Sequence, residues 1–203
     1  FTMLRTATLS PLIQRALRMS AFITILWIAM CMLVAPVQAR TTVSGDILTQ
    51  TWTKANSPYI VTATVTVPYP EILTIEPGVD VLFDSPDAEF RSTGIVHAVG
   101  TQLDSIRFLP NAASGTESWG GIRIYGYPCS ELDCIDLRDN IARFEYVRVS
   151  HVVNTWGGFM FLSDRLGPGL SMRNCIISRN HGLEELAGMY IGPNSPSYSV
   201  SQC

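Results

Sequence analysis

The chain contains little charge and a single lysine. Only 15% of its 203 residues are charged, and Lys54 is the one lysine. Arg5, Arg15 and Arg18 lie near the amino terminus, whereas all 17 acidic residues lie from Asp46 onward, so the segment 40–203 carries a net charge of −6. An acidic chain of this kind lacks the basic stripe that phosphate backbones require. We therefore expect no nucleic-acid partner.

Helix-forming sequence is also scarce, because after residue 40 only 182–187 is rich in helix formers. β-Branched residues alternate along 59–67, and 72–83 holds two short apolar runs around the turn Pro77-Gly78. The composition, with 47% hydrophobic residues, excludes a disordered polymer, and no glycine or heptad repeat indicates collagen or a coiled coil. The sequence predicts an all-β globular fold.

The only long apolar run lies near the amino terminus, at 21–34, and follows a basic stretch. Val37 and Ala39 are the small residues that a signal peptidase accepts, so we interpret residues 1–39 as a cleaved secretory signal peptide. A retained membrane anchor is the alternative, but the run is shorter than the ~20 residues of a spanning helix. We expect residues 40–203 to be secreted or displayed at the cell surface, without a membrane contact after cleavage.

Both ends of the sequence suggest an incomplete reading frame. Two residues, Phe1 and Thr2, precede the first methionine, and we attribute them to an artefact upstream of the true start. Cys203 ends the sequence within a segment whose earlier copy, 174–180, continues further. We expect the domain 40–203 to be truncated at its carboxyl end.

Short segments of the second half repeat at regular shifts in residue number. The shift is 28 for 146–150 with 174–178 and for 171–175 with 199–203, 30 for 158–162 with 188–191, and 37 for 119–124 with 156–161. We interpret the irregular stretch 127–134 as an insertion within one repeat. Short strands at such a period are typical of a solenoid. A sandwich of antiparallel hairpins is the alternative, but it would use Asn-Gly or Asp-Gly turns, which the sequence lacks.

The order of several short motifs resembles a known family. They are Thr51-Trp-Thr-Lys-Ala-Asn-Ser-Pro-Tyr-Ile-Val61, Leu73-Thr-Ile-Glu-Pro-Gly-Val79, Gly94-Ile-Val-His-Ala-Val-Gly-Thr101, Ile106-Arg-Phe108 and Trp119-Gly-Gly-Ile122. Together they resemble the opening of the secreted right-handed parallel β-helix proteins of bacteria, the pectate-lyase-like superfamily. The resemblance implies a right-handed parallel β-helix, a β-solenoid, whose amino-terminal cap is 42–67. That superfamily includes lyases, glycosidases, adhesins and surface proteins, so the resemblance does not imply one activity.

Four cysteines fall after the signal peptide, in two pairs. Cys129 and Cys134 lie in the predicted insertion, and in an exported chain we expect a disulfide between them. Free thiols and zinc are the alternatives, although no histidine lies close enough to complete a zinc ligand set. Cys175 and Cys203 occupy equivalent repeat positions, where we expect them to stack as small apolar residues. A bond between these two is the alternative, provided that consecutive coils bring them together.

Acidic residues cluster in and after the same insertion, and they offer a calcium site as an alternative to a solvated loop. The candidate ligands are Asp133, Asp136 and Asp139, with Glu131 beside them. Calcium prefers such oxygen ligands, and it is the usual metal of the lyases that the resemblance suggests. Their spacing matches no established calcium loop, so we predict no metal or other cofactor and keep calcium as the alternative.

Candidate catalytic residues are Asp164, Arg165 and His181. Asp164 and Arg165 follow a predicted strand and could serve β-elimination, but we favour a turn with a local ion pair as their explanation. Asn180-His181-Gly182 resembles the Gly-His-Gly of pectin-hydrolysing glycosidases, but the sequence has neither the adjacent aspartates nor the Arg-x-Lys of that family. No complete catalytic constellation is found, so we expect no enzyme activity from these residues.

Aromatic residues that could stack on sugar rings suggest a binding function. Trp52, Tyr125 and Tyr127 are the candidates, whereas Trp119 precedes Gly-Gly at a repeating position and is expected to pack at a coil corner. The function predicted is therefore an exported, non-catalytic scaffold or binding module that engages polysaccharide or another surface polymer. The alternatives are a polysaccharide lyase or glycosidase whose active-site coils are mostly missing, and an adhesin that self-associates end to end.

Overall fold

A computed structural model describes residues 40–125, 142–154, 157–162, 169–182, 188–192 and 198–203. The predicted signal peptide lies outside these residues. Within them, no helix combines the length and the apolar character needed to cross a membrane.

The regular secondary structure of the described residues is almost entirely strand, as the sequence predicts. Two short 3-10 turns, Lys54–Asn56 and Ala112–Ser114, are the helical elements among them. The strands are β1 (Thr41–Asp46), β2 (Gln50–Trp52), β3 (Tyr59–Val67), β4 (Ile72–Ile75), β5 (Asp80–Phe83), β6 (Glu89–Ser92), β7 (Ile95–Val99), β8 (Ile106–Pro110), β9 (Gly121–Tyr125), β10 (Ala142–Glu145), β11 (Val147–Ser150), β12 (Val153–Asn154), β13 (Phe159–Leu162), β14 (Leu170–Arg173), β15 (Ile176–Ser178), β16 (His181–Gly182), β17 (Met189–Ile191) and β18 (Tyr198–Ser201).

The strands form three sheets, and all strand pairs of the described residues are parallel. A six-stranded sheet has the order β18-β14-β10-β7-β4-β2. A ten-stranded sheet has the order β15-β11-β8-β5-β3-β6-β9-β13-β17, with β1 also paired to β3. The first half of the long β3 pairs with β5 and the second half with β6, so this sheet has two arms. We call β5, β8, β11 and β15 the first arm, and β6, β9, β13 and β17 the second arm. The small third sheet pairs β12 with β16.

Successive strands of the chain join these sheets in a fixed, repeating order, which makes the fold solenoid-like. Each coil contributes a strand to the six-stranded sheet, then to the first arm, then to the second arm, as β4, β5 and β6 do. Parallel neighbours on successive coils pair along their backbones, which is the arrangement of a parallel β-helix. The role of 42–67 as a cap stays a prediction.

The register of the strands confirms the repeat shifts that the sequence predicts. Arg148 pairs with Ile176 and Ser171 with Ser199, so the shift in residue number is 28 at both places. Phe159 pairs with Met189 on one side and with Ile122 on the other, which reproduces the shifts of 30 and 37. The strand 59–67 and the two strands around Pro77-Gly78 are confirmed as well.

The core lies between the sheets and is rich in stacked aromatic rings. Strand alternation points every second side chain inward, so Phe83, Phe90 and Phe108 are fully buried. Phe83 stacks on Trp119 with ring centroids 3.9 Å apart, and Phe90 meets Phe108 edge to face at 5.5 Å. Trp119 is fully buried, in agreement with the predicted role at a coil corner.

Corners between the six-stranded sheet and the first arm turn on residues in the left-handed region. Tyr146, Asn174 and Gln202 have φ values of 51°, 53° and 55°, and they occupy equivalent positions on successive coils. A second pair of corners, after the first arm, uses His151 with φ 61° and Arg179 with φ 54°. Residues other than glycine adopt this region only occasionally, and asparagine and histidine are among those that do so most often.

Candidate functional site

The main candidate site is a cleft of about 660 Å³ at the end of the first arm. The described residues that line it are Leu109, Pro110, Ala112, Gly115, Thr116, Glu117 and His151. Leu109 and Pro110 end β8, residues 111–118 form the loop after it, and His151 follows the neighbouring strand β11. Because β8 and β11 are parallel neighbours, the residues after both strands meet at one end of the sheet.

Asn111 holds the loop 111–118 in place. Only 6% of this residue is exposed, and its side-chain amide nitrogen donates to the carboxylate of Asp84. Its side-chain oxygen accepts from the backbone N–H of Ala113 at 3.2 Å, in the manner of a helix N-cap. Thr116 also reaches back, and its hydroxyl donates to the Asp84 carbonyl at 3.0 Å. These bonds tie one wall of the cleft to the turn after β5.

Gly115 lets the same loop reverse direction. It ends the 3-10 turn with φ 82°, a left-handed conformation that side chains disfavour, and its N–H donates to the Ala112 carbonyl at 3.1 Å. Thr116 and Glu117, which follow this turn, line the cleft together with the apolar Leu109 and Pro110.

His151 forms the other wall, and its neighbours fix its orientation. Its Nδ1 lies 2.9 Å from the hydroxyl oxygen of Ser150. The Ser150 carbonyl accepts from the Trp119 indole N–H at 2.8 Å, and the His151 carbonyl accepts from the Trp119 backbone N–H at 3.3 Å. A fully buried tryptophan thus holds both residues, and Nε2 is the imidazole nitrogen that no described residue bonds.

The lining of the cleft has the usual composition of a small-molecule site. It combines the apolar Leu109 and Pro110 with three polar side chains, those of Thr116, Glu117 and His151. Within the described residues, no hydrogen bond joins Glu117 to His151.

A second polar cluster lies on the outward face of the second arm. Glu89 accepts from Arg91 Nε at 2.6 Å with one oxygen and from Arg123 Nε at 2.9 Å with the other. The hydrogen bond with Glu89 raises the pKa of the Arg91 guanidinium above its ordinary value, and the Tyr125 phenol contributes. Arg123 is 7% exposed, and its Nη1 lies 3.6 Å from the Met160 sulfur. This carboxylate compensates a nearly buried guanidinium, which is a structural role.

Ion pairs also join consecutive coils of the first arm. Arg107 makes two hydrogen bonds of 2.5 Å to the Asp80 carboxylate on the preceding coil. These bonds raise the pKa of Arg107 above its ordinary value, chiefly through the hydrogen bond itself. Because half of the Arg107 side chain is exposed, the pair contributes little to stability.

The structure corrects one of the predicted sugar-binding residues. Trp52 is fully buried and stacks on Tyr59 with ring centroids 4.7 Å apart, so it cannot face a ligand. Its position on β2 points it into the core, and the prediction for Trp52 was wrong. Tyr125 is half-buried at the end of β9 and stays a candidate, whereas Tyr127 lies outside the described residues.

The other predicted site residues are only partly described. His181 is exposed on β16, where its backbone N–H donates to the Val152 carbonyl at 2.7 Å. The remaining candidates, Asp164, Arg165, Cys129, Cys134, Asp133, Asp136 and Asp139, lie outside the described residues. Within the described part of the chain, no group of three or more metal-ligating side chains is found.

Sequence reasoning missed the cleft itself. It assigned no role to His151, Asn111, Thr116 or Glu117. His151 and Arg179 mark equivalent corners of successive coils, but nothing in the sequence places the loop 111–118 beside such a corner.

Comparison with known proteins adds no relative: no family model, no curated protein and no solved structure matches the chain.

Proposed function

We propose that the chain is an exported, non-catalytic binding module of the pectate-lyase-like superfamily, built on a right-handed parallel β-helix, and that it binds polysaccharide outside the cell. The observation that carries the binding proposal is the cleft at the end of the first arm. Its lining combines the apolar Leu109 and Pro110 with the polar Thr116, Glu117 and His151.

A sugar ring has the matching chemistry. One face of a pyranose exposes C–H groups that pack on apolar side chains, and its edge carries hydroxyls that both donate and accept. The Glu117 carboxylate accepts such hydrogens, and the Thr116 hydroxyl, whose own proton goes to the Asp84 carbonyl, can accept one more. The volume of about 660 Å³ lies in the ordinary range of ligand sites, about 300–1,000 Å³.

Charge favours an uncharged polymer over a polyuronate. Residues 40–203 carry a net charge of −6, and one of their carboxylates, that of Glu117, lines the cleft. Like charges repel when ligand carboxylates approach, and the repulsion weakens with salt. Uncharged glucans or xylans are therefore the preferred ligand class, and binding to polygalacturonate is weaker and rises with ionic strength.

The test is a binding measurement with the exported chain on a panel of uncharged and acidic oligosaccharides, by calorimetry. The two cleft variants are His151→Asn and Glu117→Gln. Asparagine is chosen at position 151 because it tolerates the left-handed conformation that this residue adopts. We expect each to weaken binding about tenfold, which corresponds to about 1.4 kcal/mol. His97→Asn, the same substitution on the six-stranded sheet, is the matched control and should bind as the original chain does.

Three results contradict the proposal. The sugar site is refuted if the chain binds no oligosaccharide of the panel. It is also refuted if both cleft variants bind as strongly as the original chain. Release of new reducing or unsaturated ends during the same incubation refutes the non-catalytic function. Export is tested separately by amino-terminal sequencing of the chain recovered outside the cell, which should begin at Arg40.

A further inference from the structure

Cys175 and Cys203 occupy the same position on successive coils. In the six-stranded sheet, β14 pairs with β18 so that Arg173 lies beside Ser201. Each cysteine comes second after one of these partners, immediately beyond a left-handed corner. Neighbouring parallel strands lie about 4.8 Å apart, which falls within the Cα separation of about 4.4–6.8 Å that a disulfide requires.

Both cysteines are free, and the Cys203 side chain contacts the Cys175 backbone. The Cys203 sulfur accepts a hydrogen bond from the Cys175 backbone N–H at 3.4 Å. The Cys175 thiol reaches the Phe144 and Arg173 carbonyls at 3.4 Å, and the Cys203 thiol reaches the Ser201 carbonyl at 3.3 Å. Both side chains therefore lie at equivalent corners of two successive coils.

Solvent reaches only one of them. Cys203 is exposed, whereas Cys175 is 2% exposed. Burial raises the pKa of the Cys175 thiol to about 11, and the neighbouring Cys203 contributes. Because the thiolate is the attacking species, Cys203 is the residue that meets an external reagent first.

We propose that Cys175 and Cys203 form a disulfide that links these two coils when the chain meets a small-molecule disulfide as oxidant. The Cys203 thiolate attacks one sulfur of the oxidant, forming a mixed disulfide and releasing one thiolate of the reagent. The Cys175 sulfur, after losing its proton, then attacks the Cys203 sulfur and releases the second half of the reagent. Two protein thiols are oxidised, and the reagent is reduced to two thiols that take up the two protons.

The test uses the full chain. Trypsin places Cys175 and Cys203 in different peptides, so a bond between them joins two peptides. The chain is reduced, exchanged into oxidised glutathione, alkylated and digested. Cleavage after arginine places Cys175 in 174–179, Cys203 in 180–203, Cys129 with Cys134 in 124–138, and Cys31 in 19–40. We expect mass spectrometry to find most of 174–179 joined to 180–203, with the mass of two hydrogens lost.

Other pairings overturn the proposal. Peptide 180–203 joined to itself shows an exposed thiol that links two chains, and 180–203 joined to 124–138 shows a different partner. Recovery of 174–179 alkylated, with glutathione retained on 180–203, shows that the second step does not occur.

Two controls separate the contribution of the fold from chance pairing. In the first control, the chain is oxidised in concentrated urea, which unfolds the coils. The 174–179 to 180–203 link should then be only a minor share of all the disulfides formed. The variant Cys203→Ser should leave 174–179 alkylated, whereas Cys129→Ser should leave the 174–179 to 180–203 link unchanged. This proposal does not depend on the sugar site, so its failure leaves the proposed function untouched.

Discussion

Removing the Asn111 side chain should loosen the wall of the cleft. Asn111→Ala deletes the bond to the Asp84 carboxylate and the cap of the Ala113 N–H. The backbone bonds of residue 111 remain, including its N–H to the Phe83 carbonyl at 2.8 Å. The perturbation is therefore confined to two side-chain hydrogen bonds of a residue that is 6% exposed.

The expected loss follows from the two bonds. A hydrogen bond to a charged group contributes about 1.5–3 kcal/mol, and loss of an asparagine cap costs about 1 kcal/mol. Asp84 is half-buried, so water replaces part of its lost bond, and we expect a net loss of about 2 kcal/mol in the free energy of unfolding. For a chain of this size, that corresponds to a decrease of roughly 4–8 °C in Tm.

Thermal unfolding followed by circular dichroism measures the stability, and calorimetry with the oligosaccharide that binds best measures the cleft. The control is Ser114→Ala at an exposed residue of the same loop, which deletes a hydroxyl bond of 2.8 Å to the Asn111 carbonyl and a contact of 3.1 Å with the Thr116 hydroxyl. We expect that control to change the free energy of unfolding by less than about 0.5 kcal/mol. If Asn111→Ala lowers the stability no more than this, the loop does not depend on Asn111 and our account of the cleft wall is wrong.

Two further predictions concern carboxylates with different burial. Glu89→Gln leaves the nearly buried Arg123 guanidinium without its counter-charge, so we expect a loss on the order of 3 kcal/mol in denaturant unfolding. Thr49→Ala removes the side-chain bond of 2.6 Å that chiefly lowers the pKa of Glu71. We expect that pKa to rise toward its ordinary value in an NMR titration, but only in part, because the Thr49 N–H still donates to the carboxylate.

Each of these has a result that would contradict it. Glu145→Gln breaks an ion pair whose Arg143 is half exposed, and a loss as large as that of Glu89→Gln would show that burial does not decide the cost. Because the folded pKa of Glu71 is lowered, its contribution is present above the unfolded pKa and is lost as the pH falls through the folded value. An unchanged Glu71 titration in Thr49→Ala would show that the hydroxyl bond does not lower this pKa.

Much of the fold could be predicted because it depends on local patterns. Alternating β-branched residues indicated β3, and the turn Pro77-Gly78 separated β4 from β5. Register between coils followed from repeated segments, since a strand that slips by one residue would turn its apolar side chains outward. The recurring shift between these segments therefore predicted both the length of a coil and the strand with which each strand pairs.

The candidate site was less predictable because it depends on which loops meet. Trp52 looked like a surface aromatic, but the alternation of β2 points it into the core against Tyr59. His151 showed no partner in the sequence, and its role depends on Trp119 and on the loop 111–118 of the preceding coil. Such contacts arise only after the coils have stacked.

The amino-acid sequence by itself determined the all-β class, the coil period and the alternation that selects the core. Periodicity suffices there because each strand repeats one pairing rule with its neighbours. Only the tertiary structure decided that the loop 111–118 and His151 share a cleft, and that Cys203 contacts Cys175. These juxtapositions depend on where irregular loops and corners lie on neighbouring coils, and no local pattern encodes the distance between them.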